Sequence, residues 1–351
     1  MVVGLSSPSG DVTNVLAERW TGSKWSITPT PHIPDTLATT VFNAVSCPTS
    51  SLCMAVGYFD RNRTLYGLAE EWNGRRWSLR IPPNHSGTFP SQLEGVSCPS
   101  ARMCLAVGFG GQRAFQKVVD RWNGHGWATS TSRPFSTGGA HPTDWGWNTV
   151  SCTAGDACMA VAGAWSGSFN GHRWTVRRIP GISSSNRIAE PPLNTVSCSS
   201  ASSCMAVGQT YPSDFHNQPL AEYWNGRAWT KEQVPLPTPP SIPGSCAPNS
   251  PVPECTPPIQ QPGATGGSLS SVSCPINDDC EAVGGSNEPT GPSIRNANAV
   301  AEQWNGTSWS LQSTIRALSV VSCTTGGVCE AVGGNPITPG RPATLVAERY
   351  G

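Results

Sequence analysis

The sequence predicts an all-β chain folded as a β-propeller: seven blades of four-stranded antiparallel sheets, the first and last incomplete. Three observations predict it. A skeleton V-S-C-x5-C-x-A-V-G, followed after a variable gap by A-E-x-W-N-G-x-x-W, is complete between Val45 and Trp77 and recurs along the chain. Successive first cysteines stand 51, 54, 46, 76 and 49 residues apart, a regular period broken by one insertion. Each unit holds four short runs rich in Val, Leu and Trp, bounded by Gly, Asn, Pro or Ser, which are strand signals, and no segment sustains a helical period. Four antiparallel strands at such a spacing form a propeller blade.

Within a unit, strand A ends in V-S-C, as in Leu193 to Cys198, and strand B is C-M-A-V-G or a variant. Strand C is L-A-E-x-W, and strand D opens at the second Trp, as in Trp77 to Arg80. Each is expected to run for 4 to 7 residues. Asn-Gly separates C from D at Asn73, Asn123, Asn170, Asn225 and Asn305, with Thr21-Gly22 in the first unit. That dipeptide tolerates the positive φ a tight hairpin needs. The first unit lacks A and the last lacks D, so seven blades is the natural count, a fragment of a longer array the alternative. The repeats fall at about 1–40, 41–91, 92–146, 147–191, 192–267, 268–317 and 318–351 of one propeller. The fifth carries an insertion, 234–267, with eleven prolines, which cannot join a sheet ladder. It reads either as a decoration or as a binding loop.

Twelve of the 14 cysteines form six pairs of identical spacing: Cys47 and Cys53, Cys98 and Cys104, Cys152 and Cys158, Cys198 and Cys204, Cys274 and Cys280, Cys323 and Cys329. Cys246 and Cys255 then pair by elimination. An even count in local pairs reads as disulfides made in an oxidising compartment. Zinc is the competing reading, but six separated C-x5-C pairs do not bring four ligands to one point. The expected location is therefore secreted or cell-surface. No export signal is visible; Met1 to Gly4 align with Met54 to Gly57, so the start reads as internal to a repeat and the signal is expected upstream. No apolar run is long enough for a membrane helix. Lys plus Arg equals Asp plus Glu at 22 each, which leaves no electrostatic footprint for nucleic acid. A monomer without cofactor or metal is expected.

At Val283-Gly284-Gly285, Ala301-Glu302-Gln303-Trp304 and Trp309, the unit resembles a kelch repeat, with its Gly-Gly pair closing strand B, an aromatic in strand C and a Trp opening strand D. The resemblance implies a propeller of the galactose-oxidase central-domain type. Full Gly-Gly occurs in only two units, and the C-x5-C pair is not a kelch feature. Gly74-x-x-Trp77 is similar, more weakly, to the Asp-box of sialidase-like propellers, with Trp72 where that box carries its acid.

Residues present on nearly every blade do not mark one site. The acids Glu18, Glu70, Asp120, Glu222, Glu302 and Glu348, two before the strand C aromatic, read as scaffold meeting backbone or Arg donors between blades. The Trp pairs read as core. Function is expected in the departures from the repeat, which lie in the B–C and D–A connections at one end of the sheets, since variable loops on a rigid scaffold are where binding is usually placed. The candidate contacts there are His141, Asp144, Trp145 and Trp147; Tyr58, Asp60, Arg61, Arg63 and Tyr66; and Tyr211, Asp214 and His216. Exposed Trp beside an acid suits sugar stacking, while the competing reading for Trp147 is an aromatic plug sealing the fourth blade. The leading expectation is a module that binds carbohydrate or protein. The alternatives are a glycoside hydrolase, sialidase- or lyase-like enzyme, or a structural or adhesive repeat. No catalytic residue is nominated: a copper centre of galactose-oxidase type would need a spare Cys, and sequence does not show whether Arg61, Arg63, Arg113 and Arg295 converge as a sialidase site requires.

Overall fold

In the computed structural model, seven antiparallel sheets follow one another along the chain, in agreement with the seven-bladed propeller read from the repeat. The structure describes residues 1–6, 14–31, 33, 39–83, 91–110, 116–129, 147–154, 156–182, 193–210, 217–236, 266–287, 298–312, 318–334 and 345–350. The first sheet is β1 (Val2–Ser6), β2 (Asn14–Trp20) and β3 (Trp25–Ile27). The second is β4 (Thr40–Thr49), β5 (Leu52–Arg61), β6 (Thr64–Trp72) and β7 (Trp77–Leu79). The third is β8 (Ser91–Ser100), β9 (Met103–Gly110), β10 (Gln116–Trp122) and β11 (Trp127–Thr129). The fourth is β12 (Thr149–Cys152), β13 (Ala157–Ala162), β14 (Trp165–Asn170) and β15 (Trp174–Arg178). The fifth is β16 (Leu193–Ser200), β17 (Ser203–Thr210), β18 (Gln218–Trp224) and β19 (Trp229–Glu232). The sixth is β20 (Gly266–Ile276), β21 (Asp279–Asn287), β22 (Asn298–Trp304) and β23 (Trp309–Gln312). The seventh is β24 (Val320–Cys323), β25 (Cys329–Gly334) and β26 (Leu345–Tyr350). Strands A and B of the second, third, fifth and sixth sheets exceed the expected length, reaching 11 residues in β20, while those of the fourth and seventh keep to it. The chain forms two compact units, Met1–Ala206 with Trp224–Trp229, and Val207–Tyr223 with Thr230–Gly351.

Apolar residues lie between neighbouring sheets, because each sheet has two faces to cover. In the first unit Ala17, Phe42, Leu68, Trp72 and Trp77 fill the space between the first two sheets. Met54, Val56, Leu93, Val96 and Trp122 fill the next. Period 2 alternation along β5 divides Cys53 and Ala55 from Met54 and Val56. Each fully buried Leu, such as Leu68, contributes about 2 kcal/mol. The Trp pairs of the second, fifth and sixth sheets are core, as expected, with Trp72 and Trp77 meeting at centroids 5.7 Å apart, whereas Trp20 of the first sheet is exposed.

Six disulfides close the A–B turns, from Cys47–Cys53 to Cys323–Cys329. Cys246 and Cys255 lie outside the described residues. The serine of the same V-S-C tripeptide supplies what the disulfides do not, a tie to the next sheet. Ser46 Oγ accepts from Cys98 N–H at 2.9 Å, Ser97 from Cys152, and Ser151 from Cys198. In the second unit Ser273 accepts from Cys323 N–H at 3.0 Å. A glycine closes A-V-G because strand A bulges beside it: a Cβ at Gly57 would collide with the Val41 carbonyl, and one at Gly108 with that of Gln92.

The C–D turn divides its work differently from expectation. Only the glycine takes positive φ, +89° at Gly74 and +92° at Gly124. The asparagine acts through its side chain. Asn73 Oδ1 accepts from Arg75 and Arg76 N–H at 3.1 and 3.0 Å, and Asn123, Asn170, Asn225 and Asn305 repeat the arrangement.

Candidate functional site

The meander places A–B and C–D turns together at one end of each sheet. Gly74 backs onto Ser51, Gly124 onto Arg102 and Gly306 onto Asp278, each a C–D turn against an A–B turn. The connections at the other end, where binding is expected, fall largely outside the described residues. His141, Asp144, Trp145, Tyr211, Asp214 and His216 are among the undescribed positions.

The stretch from Tyr58 to Tyr66 is described, and it is not a loop. β5 and β6 pair through Arg61 and Thr64, joined by Asn62 and Arg63 with φ of +55° and +61°, a two-residue hairpin turn. Side-chain alternation then separates the five candidates. Phe59 pairs with Tyr66, their rings stacked with centroids 5.5 Å apart, and the Arg61 guanidinium lies 5.6 Å from the Phe59 centroid. Tyr58 and Asp60 occupy the opposite face, opposite Gly67 and Leu65. Arg63 stands exposed at the tip. One face therefore carries a continuous Arg61–Phe59–Tyr66 column, and Tyr58 does not join it.

Trp147 is fully buried. Its ring stacks 6.4 Å from Trp174 and lies against Gly167, with the Lys117 ammonium 5.6 Å from its centroid. Gly167 pairs with Ala160 as Glu70 pairs with Ala55, so it stands where other sheets carry the recurring acid. The indole fills the volume that glycine leaves. The turn Gly163-Ala164 between β13 and β14 is only two residues long.

Three of the recurring acids, Glu70, Glu222 and Glu302, depart from expectation. Glu70 and Glu302 are fully buried, and neither oxygen of either carboxyl has a hydrogen-bond partner among the described residues. Burial pushes Glu70 up to about 8. Glu302 rises to about 8 through burial and then the nearby Glu281 charge. Glu222 rises to about 7, burial outweighing the lowering by Lys231, with Glu232 raising it further. In Glu70 and Glu302 burial favours the neutral acid, where an anion meeting a cation was expected.

Grooves that the sequence does not announce lie between sheets near the disulfide end. In the first unit a cavity of about 230 Å³ lies between the fourth and fifth sheets, lined by Met159, Ser168, Phe169, Arg177 and Trp224 beside Cys198–Cys204. Arg177 donates to Ser168 Oγ at 3.3 Å and sits 5.7 Å over Trp224. The second sheet carries the counterpart: Arg80 pairs with Glu71 at 2.8 Å and lies 5.9 Å over Trp122. The signal was present as the variable residue x of A-E-x-W and its strand D neighbour. Among the described residues no group of three or more His, Cys, Asp or Glu could hold a metal ion.

No family model and no curated protein matches this sequence. Solved structures do. The chain is similar to YCF48 from Cyanidioschyzon merolae, at 12% identity and a TM-score of 0.49, over 90% of this chain and 84% of that one. It is also similar to a mutant of the Aleuria aurantia lectin in complex with α-methyl-L-fucoside, at 10% identity and a TM-score of 0.47, over 91% and 96%. A further structure of that lectin, described as a six-bladed β-propeller with a novel fucose recognition mode, matches at 10% identity and a TM-score of 0.47 over the same shares. Identities and scores of this size leave the site to be argued from this chain's own residues.

Proposed function

We propose that the protein is a secreted or cell-surface binding module, kelch-like in its repeat, that holds a carbohydrate ligand through the B–C and D–A connections. What supports the reading is the contrast between the two ends of the sheets. At one end the C–D turns repeat a single geometry, Asn-Gly with the same pair of side-chain bonds in five sheets, and six disulfides fix the A–B turns. At the other, connections range from two residues at Gly163-Ala164 to the proline insertion. A scaffold this uniform at one end and this varied at the other is built to present the varied end.

In the second sheet the presenting element is the hairpin tip. Phe59 is buried in the core between the first two sheets, and it anchors the half-buried Tyr66 ring and the Arg61 guanidinium, with Arg63 exposed beyond them; one tyrosine face beside two guanidinium groups suits the apolar face and hydroxyls of a sugar ring. Carbohydrate is favoured over protein as ligand because the exposed tip is only the two-residue turn Asn62-Arg63, with Tyr66 half-buried behind it. The test is a glycan array followed by titration of the best ligand. Tyr66→Ala and Arg63→Ala should each weaken binding about tenfold, while Arg177→Ala at the disulfide end leaves it unchanged. Undiminished binding in both hairpin variants, or no glycan bound by the wild type, would sink the reading.

A further inference from the structure

In the second unit the groove between the sixth and seventh sheets departs from its counterpart in the first. Its floor is the residue that follows the second cysteine. That residue is Met54, Leu105, Met159 and Met205 in the second to fifth sheets, but Glu281 in the sixth and Glu330 in the seventh. Register confirms the equivalence: Met159 pairs with Ser168 as Glu281 pairs with Gln303, and Ser166 pairs with Arg177 as Ala301 pairs with Gln312. Where the fourth sheet presents Met159, Ser168 and Arg177, the sixth presents Glu281, Gln303 and Gln312. A thioether and a guanidinium have been exchanged for a carboxylate and an amide.

The cavity measures about 310 Å³ and is lined by Asp279, Glu281, Gln303 and Gln312, with the Cys323–Cys329 disulfide on its far wall. Among the described residues no Lys, Arg or His lines it. Glu281 is only 5% exposed, and its Oε1 has no hydrogen-bond partner among the described residues. Gln312 Nε2 donates to Gln303 Oε1 at 2.9 Å, which fixes the two amides at the rim and leaves the Gln312 carbonyl oxygen as an acceptor. A buried carboxyl oxygen without a donor, in a cleft that no cation lines among the described residues, is costly unless something brings the donor to it.

We propose that this groove binds a small organic cation through a primary ammonium group, with Glu281 and Asp279 as the carboxylates that receive it and the Gln312 carbonyl as a further acceptor. An ammonium has three donors and no acceptor, which matches a lining rich in oxygen. The volume admits a short aliphatic amine and excludes a folded partner. A divalent metal is the poorer fit, because two carboxylates do not supply the six or more oxygens that calcium takes. Burial, and then the Asp279 charge, hold the Glu281 proton up to about 8; a neighbouring ammonium reverses that balance.

The experiment is calorimetric titration of the full chain, disulfides intact, with putrescine at pH 7.5, and with 1,4-butanediol as the uncharged analogue. Saturable binding of one putrescine, at least tenfold weaker for butanediol, is expected. Glu281→Met installs the residue that the second, fourth and fifth sheets carry, and should abolish binding without loss of fold. Glu281→Gln, an isosteric change, should weaken it at least tenfold, and Asp279→Asn less. No saturable binding, equal affinity for butanediol, or affinity unchanged in both Glu281 variants would overturn the proposal. So would calcium chloride binding at the site and displacing putrescine.

Discussion

Glu70→Gln should make the protein more stable in alkali while leaving it nearly unchanged in mild acid. Both Glu70 oxygens lie between the first and second sheets without a hydrogen-bond partner among the described residues. Its folded-state value of about 8 stands above the usual 4.5. The folded state therefore keeps a proton that the unfolded chain releases. Stability is full below about pH 4.5 and declines as pH rises through the window to about 8. At ~1.4 kcal/mol per tenfold in proton affinity the full penalty above pH 8 approaches 5 kcal/mol, and water reaching an opened interface reduces it to about 2–4 kcal/mol. Gln matches the neutral acid in shape and does not ionise. Urea unfolding followed by the fluorescence of Trp72 and its neighbours, at pH 5 and pH 8.5 with disulfides intact, reads the difference. The variant should match the wild type at pH 5 and exceed it by those few kcal/mol at pH 8.5. A difference from the wild type that is the same at both pH values would refute the reasoning.

Ser97→Ala removes the acceptor for Cys152 N–H and should cost about 1 kcal/mol, with faster hydrogen exchange at the Cys152 amide. Trp147→Ala should cost about 3–5 kcal/mol as a cavity opens beside Gly167; a melting temperature unchanged from the wild type would contradict the plug. Replacing Cys98 and Cys104 together by Ser should cost about 2 kcal/mol for so short a loop, read by urea unfolding, and should leave the Cys152 amide protected.

Much of the fold was legible because the repeat states it seven times. Cysteine spacing, Asn-Gly and paired Trp each specify a local geometry, and together they admit one architecture. Legibility stopped where a residue acts across sheets. Nothing in V-S-C announces that its serine reaches the following sheet, because that bond spans about fifty residues. The acids looked like partners for cations because carboxylates on a surface are, and only the packing shows Glu70 sealed away from any. Trp147 looked like a surplus aromatic; it answers Gly167, twenty positions on in β14. The Tyr58–Tyr66 stretch showed its composition but not its pairing, and strand alternation then divided residues that the sequence had grouped. The polar groove at Glu281 was written in the sequence as a Met replaced by Glu, a departure inside a strand rather than in a loop.

The claim that ligand is held at the varied end of the sheets is tested most directly by hydrogen–deuterium exchange of the full chain with and without a saturating glycan. Protection confined to the hairpin around Asn62 and Arg63 and to the other B–C and D–A connections is the predicted result. Protection confined to the Asn-Gly and disulfide turns would contradict the account.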